Sequence, residues 1–372
     1  MAVKRIVLAG GGHAHLGVLA AWMIAPPPHS DRVLVTSSRH TAYSGMLPGW
    51  MAGIYTPNQI LIDLAPLAAA AGARVILADV TGLDAAARTV TLSTGETLEF
   101  DLLSLATGGE IDTVPLAAAG ERLLPVRPTL PFMAGWQAAL TARPAADFDV
   151  AVVGGGAGGF EIACAAMAAL QDQNAAGRVA LVTASGTLLA GHARPVTAAG
   201  GAALKARGIK LVEAHAAGHA QGLALSTGET LSSGLVIAAT GSRAPAWLAA
   251  SGLAVTPDGF VAVGADLASI SHPHIFAAGD IIARQDRPLP RSGVHAVKAG
   301  PVLAANIAAR LAGTALAQYQ PPARNLYLMA TGDRRAILSW GPIGLGSDGW
   351  MGGLLWRLKN AIDSGFMRRH TI

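Results

Sequence analysis

The fold is decided near the start of the chain, by Ile6-Val7-Leu8-Ala9-Gly10-Gly11-Gly12-His13-Ala14-His15-Leu16-Gly17. Aliphatic and β-branched residues are followed by three glycines and then by alanine and leucine, which predicts a strand, a tight turn and a helix. Gly10 permits the turn, and Gly12 lets backbone N–H groups approach a pyrophosphate at the positive end of the helix. The stretch therefore predicts a phosphate-binding strand–turn–helix unit.

A second copy of this pattern follows at Val152-Val153-Gly154-Gly155-Gly156-Ala157-Gly158-Gly159. Two further motifs are also present in both halves of the chain. The first is the hexapeptide Ser-Thr-Gly-Glu-Thr-Leu, which occurs at Ser93–Leu98 and at Ser226–Leu231. Each hexapeptide stands the same distance before an apolar strand that ends in Ala-Thr-Gly, at 106–108 and 239–241. The repetition predicts two dinucleotide-binding units of shared design.

The composition favours a globular protein with two domains. Of the 372 residues, 52% are hydrophobic and 13% are charged, which argues against disorder and for large buried parallel sheets. The mean hydropathy is +0.43, but the most apolar windows, 150–170 and 234–241, are glycine-rich and interrupted by Glu161 or Thr240. No membrane-spanning helix is therefore predicted.

The charge and the start of the chain limit partners and location. The formal net charge of +4 suits a nucleotide ligand, and no basic tract interleaved with aromatic residues predicts nucleic-acid binding. The first strand begins almost at Met1, which leaves no room for a signal or transit peptide. We expect a cytoplasmic location, with peripheral attachment to the inner membrane face as a variant of it.

One cysteine and a histidine pair are the remaining reactive candidates. A single thiol excludes an intramolecular redox disulfide, a cysteine-rich iron–sulfur site and a structural zinc site. Cys164 is predicted to be a small buried helix residue. His13 and His15 have the spacing of a metal pair, but no third ligand lies nearby, so they are interpreted as turn residues beside a phosphate and no metal is predicted.

Periodicity and turn signals place elements along the whole chain. The predicted strands are 32–37, 73–80, 88–106 around a turn, 179–183, 274–280, 325–331 and 335–340. The predicted helices are 16–24, 60–71, 129–142, 292–311 and 350–369, and a further helix opens at the turn 154–159 and ends near 170. Both second strands end without an acidic residue, since Thr36 and Ser37 end one and Thr183 ends the other, where Asp or Glu commonly binds a ribose. Residues 38–49 are predicted to be a loop packed against a planar cofactor.

These motifs together resemble a known family. Two glycine turns, each followed by an Ala-Thr-Gly strand end, and then Gly279-Asp280 are similar to the flavoproteins with two dinucleotide-binding domains. That family includes the pyridine nucleotide-disulfide oxidoreductases and the type II NADH dehydrogenases. More narrowly, Gly-Gly-Gly-His-Ala-His, Tyr43–Gly49 and Trp356–Asp363 resemble the flavoprotein branch that is sometimes fused to selenide, water dikinase.

The resemblance implies an α/β fold with two Rossmann-like dinucleotide-binding domains, the second inserted in the first. Residues 1–112 and 242–318 would form the FAD-binding domain, 113–147 a connection, and 148–241 an NAD(P)H-binding-like domain. Residues 319–372 would form a small α+β tail that ends in an amphipathic helix.

By the same resemblance the first domain would hold one non-covalent FAD. Asp280 would bind the ribityl chain, Val80 would contact the adenine through its backbone, and Gly45 would lie with Met46 against the isoalloxazine. The amides at the start of the helix after residue 292 would face the flavin C2 carbonyl and stabilise the reduced ring. The implied FAD contacts are Gly10, Gly12, His13, Ala14, His15, Ser37, Arg39, Ser44, Gly45, Met46, Val80, Ala106, Thr107, Gly108, Gly279, Asp280, Gly293 and Val294.

The second domain would take NAD(P)H as co-substrate. Glu161 matches a glutamate that lies near the nicotinamide in relatives, which makes it a candidate catalytic residue. Because Thr183 stands where an acid would select NADH, and no arginine cluster follows to select NADPH, a degenerate site kept for packing is the alternative. The implied contacts are Gly154, Gly156, Ala157, Gly159, Thr240 and Gly241.

The lack of a cysteine pair excludes the disulfide reductases and the cysteine-dependent sulfide:quinone reductases, and leaves quinones, one-electron carriers or oxygen as acceptors. The glutamine-rich motif of type II NADH dehydrogenases is replaced here by Gly293–Lys298, so Lys298 is interpreted either as a catalytic charge near the flavin or as a surface lysine. We expect an FAD-dependent NAD(P)H dehydrogenase with a quinone-like acceptor. The alternatives are an FAD oxidoreductase with another donor, linked to selenium or sulfur metabolism, and a flavin-bearing interaction protein without turnover.

The terminal helix carries a hydrophobic stripe at helical spacing. The stripe predicts either a core or homodimer contact or, together with basic residues that lie off the stripe or at its end, shallow attachment to an anionic bilayer. These basic residues are Arg357, Lys359, Arg368 and Arg369. The members of the stripe are Trp350, Met351, Leu354, Leu355, Leu358, Ile362 and Phe366.

Overall fold

The computed structural model describes residues 2–142, 148–172, 177–184 and 188–372. The helices are α1 His13–Ile24, α2 Leu47–Met51, α3 Pro57–Ile60, α4 Leu64–Ala70, α5 Thr129–Ala142, α6 Ala157–Asp172, α7 Arg194–Ala206, α8 Gly293–Ala312 and α9 Gly349–His370. The strands are β1 Lys4–Ala9, β2 Ser30–Thr36, β3 His40–Ala42, β4 Leu61–Asp63, β5 Ala73–Leu77, β6 Val80–Asp84, β7 Thr89–Leu92, β8 Thr97–Glu99, β9 Leu102–Leu105, β10 Glu110–Ile111, β11 Leu123–Pro125, β12 Val150–Val153, β13 Val179–Thr183, β14 Lys210–Glu213, β15 Ala216–His219, β16 Gly222–Leu225, β17 Thr230–Ser232, β18 Leu235–Ala238, β19 Ser242–Arg243, β20 Val261–Val263, β21 Ile275–Ala277, β22 Ile282–Arg284, β23 Leu326–Ala330, β24 Ala336–Trp340 and β25 Ile343–Leu345.

Two parallel five-stranded sheets of the same design form the framework. The first has the order β21-β9-β1-β2-β5, and the second has the order β11-β18-β12-β13-β14. In each sheet the central strand leads through a glycine turn into a helix, α1 or α6, as the sequence predicts. The strands are aliphatic along their length because both faces of a parallel sheet are covered. The predicted α/β fold class is therefore confirmed.

The repeat extends to the ends of the strands. The two Ser-Thr-Gly-Glu-Thr-Leu segments form the β7–β8 and β16–β17 turns of two small antiparallel sheets, β6-β7-β8 and β15-β16-β17. In the first unit the backbone N–H of Ala78 donates to the carbonyl of Thr36 over 3.0 Å, and in the second Ala214 donates to Thr183 over 3.1 Å. The two units therefore share backbone geometry beyond the sheets themselves.

Helices α1 and α8 touch through glycines. A Cβ atom on Gly300 would lie 2.7 Å from the carbonyl oxygen of Ala14 and 3.0 Å from the Cα of Gly17. Only glycine lets the two helix backbones come this close. Because of this contact, the amino-terminal ends of α1 and α8 open on the same cavity, which is lined by Gly12 and Gly293.

Two sequence predictions in this region were wrong. Residues 38–49, predicted to be a loop, contain β3 and the start of α2, and residues 60–71, predicted to be one helix, contain the end of α3, then β4 and α4. The reason is that Leu61–Asp63 pairs with His40–Ala42 as an antiparallel strand. Asp63 then caps a new helix by accepting the backbone N–H of Ala65 over 3.0 Å.

The terminal region packs against the second unit. The sheet β23-β24-β25 contacts α6 and α7, and α9 crosses the sheet. The predicted stripe of α9 is divided, because Leu355 and Phe366 are buried and Met351 is half-buried, while the other four members are exposed. No helix in the described parts of the chain is long and apolar enough to cross a membrane. The exposed members are Trp350, Leu354, Leu358 and Ile362.

The limits of the predicted domains stay a prediction. Part of the predicted connection, residues 143–147, lies outside the described residues.

Candidate functional site

A cavity of about 1030 Å³ opens at the carboxyl ends of the first sheet, the edge where α/β proteins of this topology bind ligands. It receives most of the residues predicted to contact FAD. The predicted residues that line it are Gly10, Gly12, His13, Ala14, Ser37, Ser44, Val80, Ala106, Thr107, Gly108, Gly279, Asp280 and Gly293. The predicted residues His15, Arg39, Gly45, Met46 and Val294 lie outside this lining.

The glycine turn at the cavity floor requires glycine. Gly10 has a φ of +100°, and a Cβ atom there would lie 2.6 Å from the carbonyl oxygen of Ala106. A Cβ atom on Gly12 would collide with the same oxygen. The turn thus brings bare backbone to the start of α1, as a pyrophosphate cradle needs.

His13 supplies an unused polar atom at this helix start. Its Nε2 is buried and has no hydrogen-bond partner among the described residues. Burial lowers the pKa of His13 to about 4, so the ring is neutral at physiological pH. A buried, unpaired nitrogen is costly unless a ligand satisfies it, and a phosphate or sugar oxygen of FAD in this cavity fits that need.

His15 performs a different task from the one predicted. Its side chain is 0% exposed, and its Nδ1 lies 2.6 Å from the carbonyl oxygen of Gly10 while its Nε2 lies 2.8 Å from Ser104 Oγ. The ring therefore connects the glycine turn to β9, in the place where the second unit has Gly159. The polar cross-link holds turn, helix and strand together.

Arg127 is a cavity residue that sequence reasoning missed. It follows β11, and its guanidinium lies 2.7 Å from a carboxylate oxygen of Asp280 and donates to Ser242 Oγ over 2.9 Å. Among the described residues that line the cavity, it is the one arginine or lysine. The sequence placed it in a connection, and only the pairing of β11 with β18 brings it back to the cavity.

The glycine turn of the second unit is also intact. Gly154 has a φ of +131°, and Cβ atoms on Gly154 or Gly159 would collide with backbone oxygens. A Cβ atom on Gly156 would have no atom of the described residues within 4 Å, so within the described part of the unit the space above the turn is open. Thr183, at the end of β13, is buried. The unit keeps the backbone of a dinucleotide cradle without an acidic residue at that strand end.

Glu161 is held by the terminal region and does not line the large cavity. One of its carboxylate oxygens accepts the backbone N–H of Ala330 over 2.7 Å. Burial raises the pKa of Glu161, although the nearby Lys359 opposes this shift. Its position is therefore set by β23 and α9.

Lys359 is a second residue that sequence reasoning missed. Its ammonium is buried, lies 2.9 Å from Asp363 and donates to the carbonyl oxygen of Gly45 over 2.7 Å. Tyr43 donates to the same Asp363 over 3.0 Å. Burial lowers the pKa of Lys359, but Glu161 and Asp363 together raise it above the ordinary value. The spacing of charges on α9 gave no sign that a lysine would face inward.

The remaining candidates lie away from the cavity. Lys298 is exposed, and its ammonium contacts Asn325 at 3.4 Å, which in turn reaches the ring of His295. Cys164 is buried, and burial raises the pKa of its thiol to about 12. The described residues contain no group of three or more His, Cys, Asp or Glu side chains that could hold a metal ion.

Several solved structures are similar in fold to nearly the whole chain. The chain is similar over 99% of its length to NDH2 from Plasmodium falciparum in complex with NADH, with 13% identity, 97% of that chain covered and a TM-score of 0.81. It is also similar to the sulfide:quinone oxidoreductase of Aquifex aeolicus, with 16% identity, 98% and 91% coverage and a TM-score of 0.76. The putidaredoxin reductase–putidaredoxin complex matches with 23% identity, 92% and 82% coverage and a TM-score of 0.74. At these identities the likeness shows the fold.

The family to which the chain belongs is shown by a match to a family model. No curated protein matched the chain. The family model described as pyridine nucleotide-disulphide oxidoreductase, however, matches residues 4–300, which include both glycine turns, both Ala-Thr-Gly strand ends and Asp280. FAD and NAD(P)H, which the sequence predicted, are the cofactors of that family. The narrower resemblance to the branch that is sometimes fused to selenide, water dikinase stays a prediction. The family-level resemblance is confirmed, and the chain belongs to the pyridine nucleotide-disulphide oxidoreductases, a family of flavin-dependent oxidoreductases.

Proposed function

We propose that this protein passes electrons from NAD(P)H, through FAD, to a quinone or a similar acceptor. The observation that carries the proposal is the presence of two glycine turns with cradle geometry, one beside the large cavity and one with open space above Gly156. One cradle would hold FAD and the other the nicotinamide nucleotide. The similar NDH2 structure, which contains NADH, supports the same division.

Several residues would hold FAD in the cavity. The amides at the starts of α1 and α8 suit a pyrophosphate and an electron-rich ring edge, respectively. Asp280 can accept a ribityl hydroxyl, and Arg127, its ion-pair partner, would bring positive charge to the cofactor. Bound FAD supplies a ring that accepts a hydride and passes electrons on. The chain's part is to orient the two nucleotides and to keep water from the space between them.

The candidate catalytic side chains have separate places in this proposal. Glu161 is near the second cradle, in the first turns of α6, where its position is fixed by the N–H of Ala330. Lys298 lies on the solvent side of α8, which favours the surface-lysine interpretation over a charge at the flavin.

We expect the electrons to pass from the flavin to a separate acceptor molecule and not to a disulfide within this chain. The one cysteine is buried, and its thiol is protonated at physiological pH because burial raises its pKa. The exposed stripe of α9, formed by Trp350, Leu354, Leu358 and Ile362, offers an apolar surface for shallow contact with a membrane that contains a quinone. A homodimer formed through this stripe is the alternative use.

Anaerobic mixing tests the electron donor. Purified FAD-loaded protein is mixed with NADH or with NADPH, and the flavin absorbance is followed. Bleaching by either nucleotide at a rate that saturates with its concentration is expected. Gly156→Val should prevent bleaching without releasing FAD, because a Cβ atom there has no atom of the described residues within 4 Å and the added side chain would occupy the cradle.

Gly201→Val is the matched control, because Gly201 also has open space around it but lies in α7, away from both turns. It should bleach like the unmodified protein. If neither nucleotide bleaches the flavin of the unmodified protein, NAD(P)H is not the donor and the proposal fails.

A further inference from the structure

Thr36, the last residue of β2, has no side-chain atom free to bind a sugar. Thr36 is buried, and its hydroxyl donates to the carbonyl oxygen of Ser38 over 3.1 Å. Its Oγ1 and methyl-bearing side also face Gly11, where a Cβ atom would lie 2.9 Å from Oγ1. The position that usually carries a ribose-binding acid is therefore used for packing in this chain.

An acid stands instead at the end of the neighbouring strand. In the parallel pairing of β2 with β5, Thr36 lies beside Leu77, and Asp79 comes two residues later at the same edge of the sheet. Asp79 lines the large cavity together with Ser37 and Val80. It thus faces the part of the cavity beyond the glycine turn, across the edge of the sheet from the pyrophosphate cradle.

The backbone of Asp79 is fixed while its carboxylate is unused. Its N–H donates to Ser93 Oγ over 3.0 Å, and its carbonyl accepts the N–H of Ser93 over 2.9 Å. The described part of the cavity lining contains three carboxylates, and two of them are paired: Asp280 with Arg127 at 2.7 Å and Glu110 with Arg243 at 3.2 Å. Among the described residues, the Asp79 carboxylate has no ion-pair or hydrogen-bond partner.

The second unit has the same backbone arrangement at the equivalent position, but with a different side chain. There His215 holds the same place, because its N–H donates to Ser226 Oγ over 3.1 Å and its carbonyl accepts the N–H of Ser226 over 2.8 Å. Both units have the same pair of hydrogen bonds between this position and the serine of the repeated hexapeptide. Of the two units, only the one with the large cavity has a carboxylate at this position, so these hydrogen bonds do not require an aspartate there.

We propose that Asp79 replaces the missing acid of β2 and binds the adenosine half of FAD. Its carboxylate accepts a hydrogen bond from a donor of that half, either a ribose hydroxyl or the 6-amino group of adenine. The proposal rests on the FAD site and is independent of the electron donor and acceptor. It also explains how the first unit can bind a dinucleotide although Thr36 and Ser37 end its second strand.

The test compares FAD with FMN, which lacks the adenosine half. Cofactor-free protein is titrated with each flavin, and binding is followed by flavin fluorescence. Asp79→Ala should raise the Kd for FAD about tenfold, which corresponds to 1.4 kcal/mol, and leave the Kd for FMN unchanged. His215→Ala, at the equivalent place of the second unit, should leave both values unchanged.

Competition with adenine nucleotides identifies the donor group. The inhibition constant of ADP, calculated from its displacement of FAD and the Kd for FAD of each protein, should be higher for Asp79→Ala than for the unmodified protein. If the ribose is the donor, 2′-deoxy-ADP loses this sensitivity to the substitution, and if the amino group is the donor, inosine diphosphate loses it. An unchanged Kd for FAD, or an equal loss of FAD and FMN affinity, would overturn the proposal. Both measurements are made without NAD(P)H or an acceptor, so they hold even if the proposed electron transfer fails.

Discussion

Replacing His15 by asparagine should change how the stability of the protein depends on pH. The neutral ring donates from Nδ1 to the carbonyl of Gly10 and accepts at Nε2 from the hydroxyl of Ser104. Burial lowers the pKa of His15 from 6.5 to about 4. Protonation would place a second donor against Ser104 and a charge in the core. An asparagine can still donate to Gly10 but cannot titrate.

The sign and size of the effect follow from linkage. Between pH 6.5 and 4 the unfolded chain binds a proton at residue 15 that the folded chain refuses, so the stability from this site is complete above pH 6.5 and is lost as the pH falls. A difference of about 2.5 pKa units at 1.36 kcal/mol per unit gives about 3 kcal/mol. At pH 7 the variant should be less stable by about 1–3 kcal/mol, because Ser104 loses its partner.

Urea unfolding of cofactor-free protein, followed by tryptophan fluorescence at several pH values from 4 to 7.5, measures both quantities. The free energies of unfolding of the two proteins should approach each other as the pH falls, with a difference in slope of about 1.4 kcal/mol per pH unit near pH 5. His13, whose pKa is also lowered to about 4, is present in both proteins and cancels. Parallel curves would refute the reasoning, because they would mean that His15 titrates equally in both states.

Three further substitutions test the site and its supports. Lys359→Met should lower the free energy of unfolding by about 3–5 kcal/mol, because it leaves Asp363 buried without its cation; thermal unfolding measures this, and exposed Lys298→Met should have no such effect. Arg127→Gln should weaken FAD binding several-fold by removing the one arginine or lysine of the described cavity lining, and fluorescence titration would contradict this with an unchanged Kd. Gly300→Val should separate α8 from α1 and release FAD, whereas retention of FAD at normal affinity would show that the close contact is dispensable.

The sequence was sufficient for the framework because its signals are local. Glycine turns, apolar strands and the repeated hexapeptide are each contained in about ten residues, and the two sheets follow from them. The segment 60–71 was wrong because the strand within it exists only through pairing with His40–Ala42, a contact that no local pattern contains.

The sequence predicted the site residues that belong to local backbone motifs. It missed the residues whose side chains meet only when distant parts of the chain pack together. Gly10, Gly12 and Asp280 occupy the cavity as predicted. Arg127 reaches it through the placement of β11 in the other sheet, and Lys359 is turned inward by carboxylates on α9 and α6. His15 stands on α1 where the second unit has Gly159, a difference that is visible in the sequence. Its partner Ser104, however, lies on β9, 89 residues away. Such pairs depend on tertiary packing, which spacing in one sequence does not reveal.

The close approach of α1 and α8 has an electrostatic consequence. Each helix carries roughly half a positive charge at its amino-terminal end, and the glycine contact brings both ends to one cavity. Without an anion, these two partial charges repel each other across the cavity. An anionic dinucleotide removes that repulsion and adds attraction to both ends, so the folded protein should gain thermal stability when it binds FAD. The cofactor is in this sense a part of the charge balance of the fold.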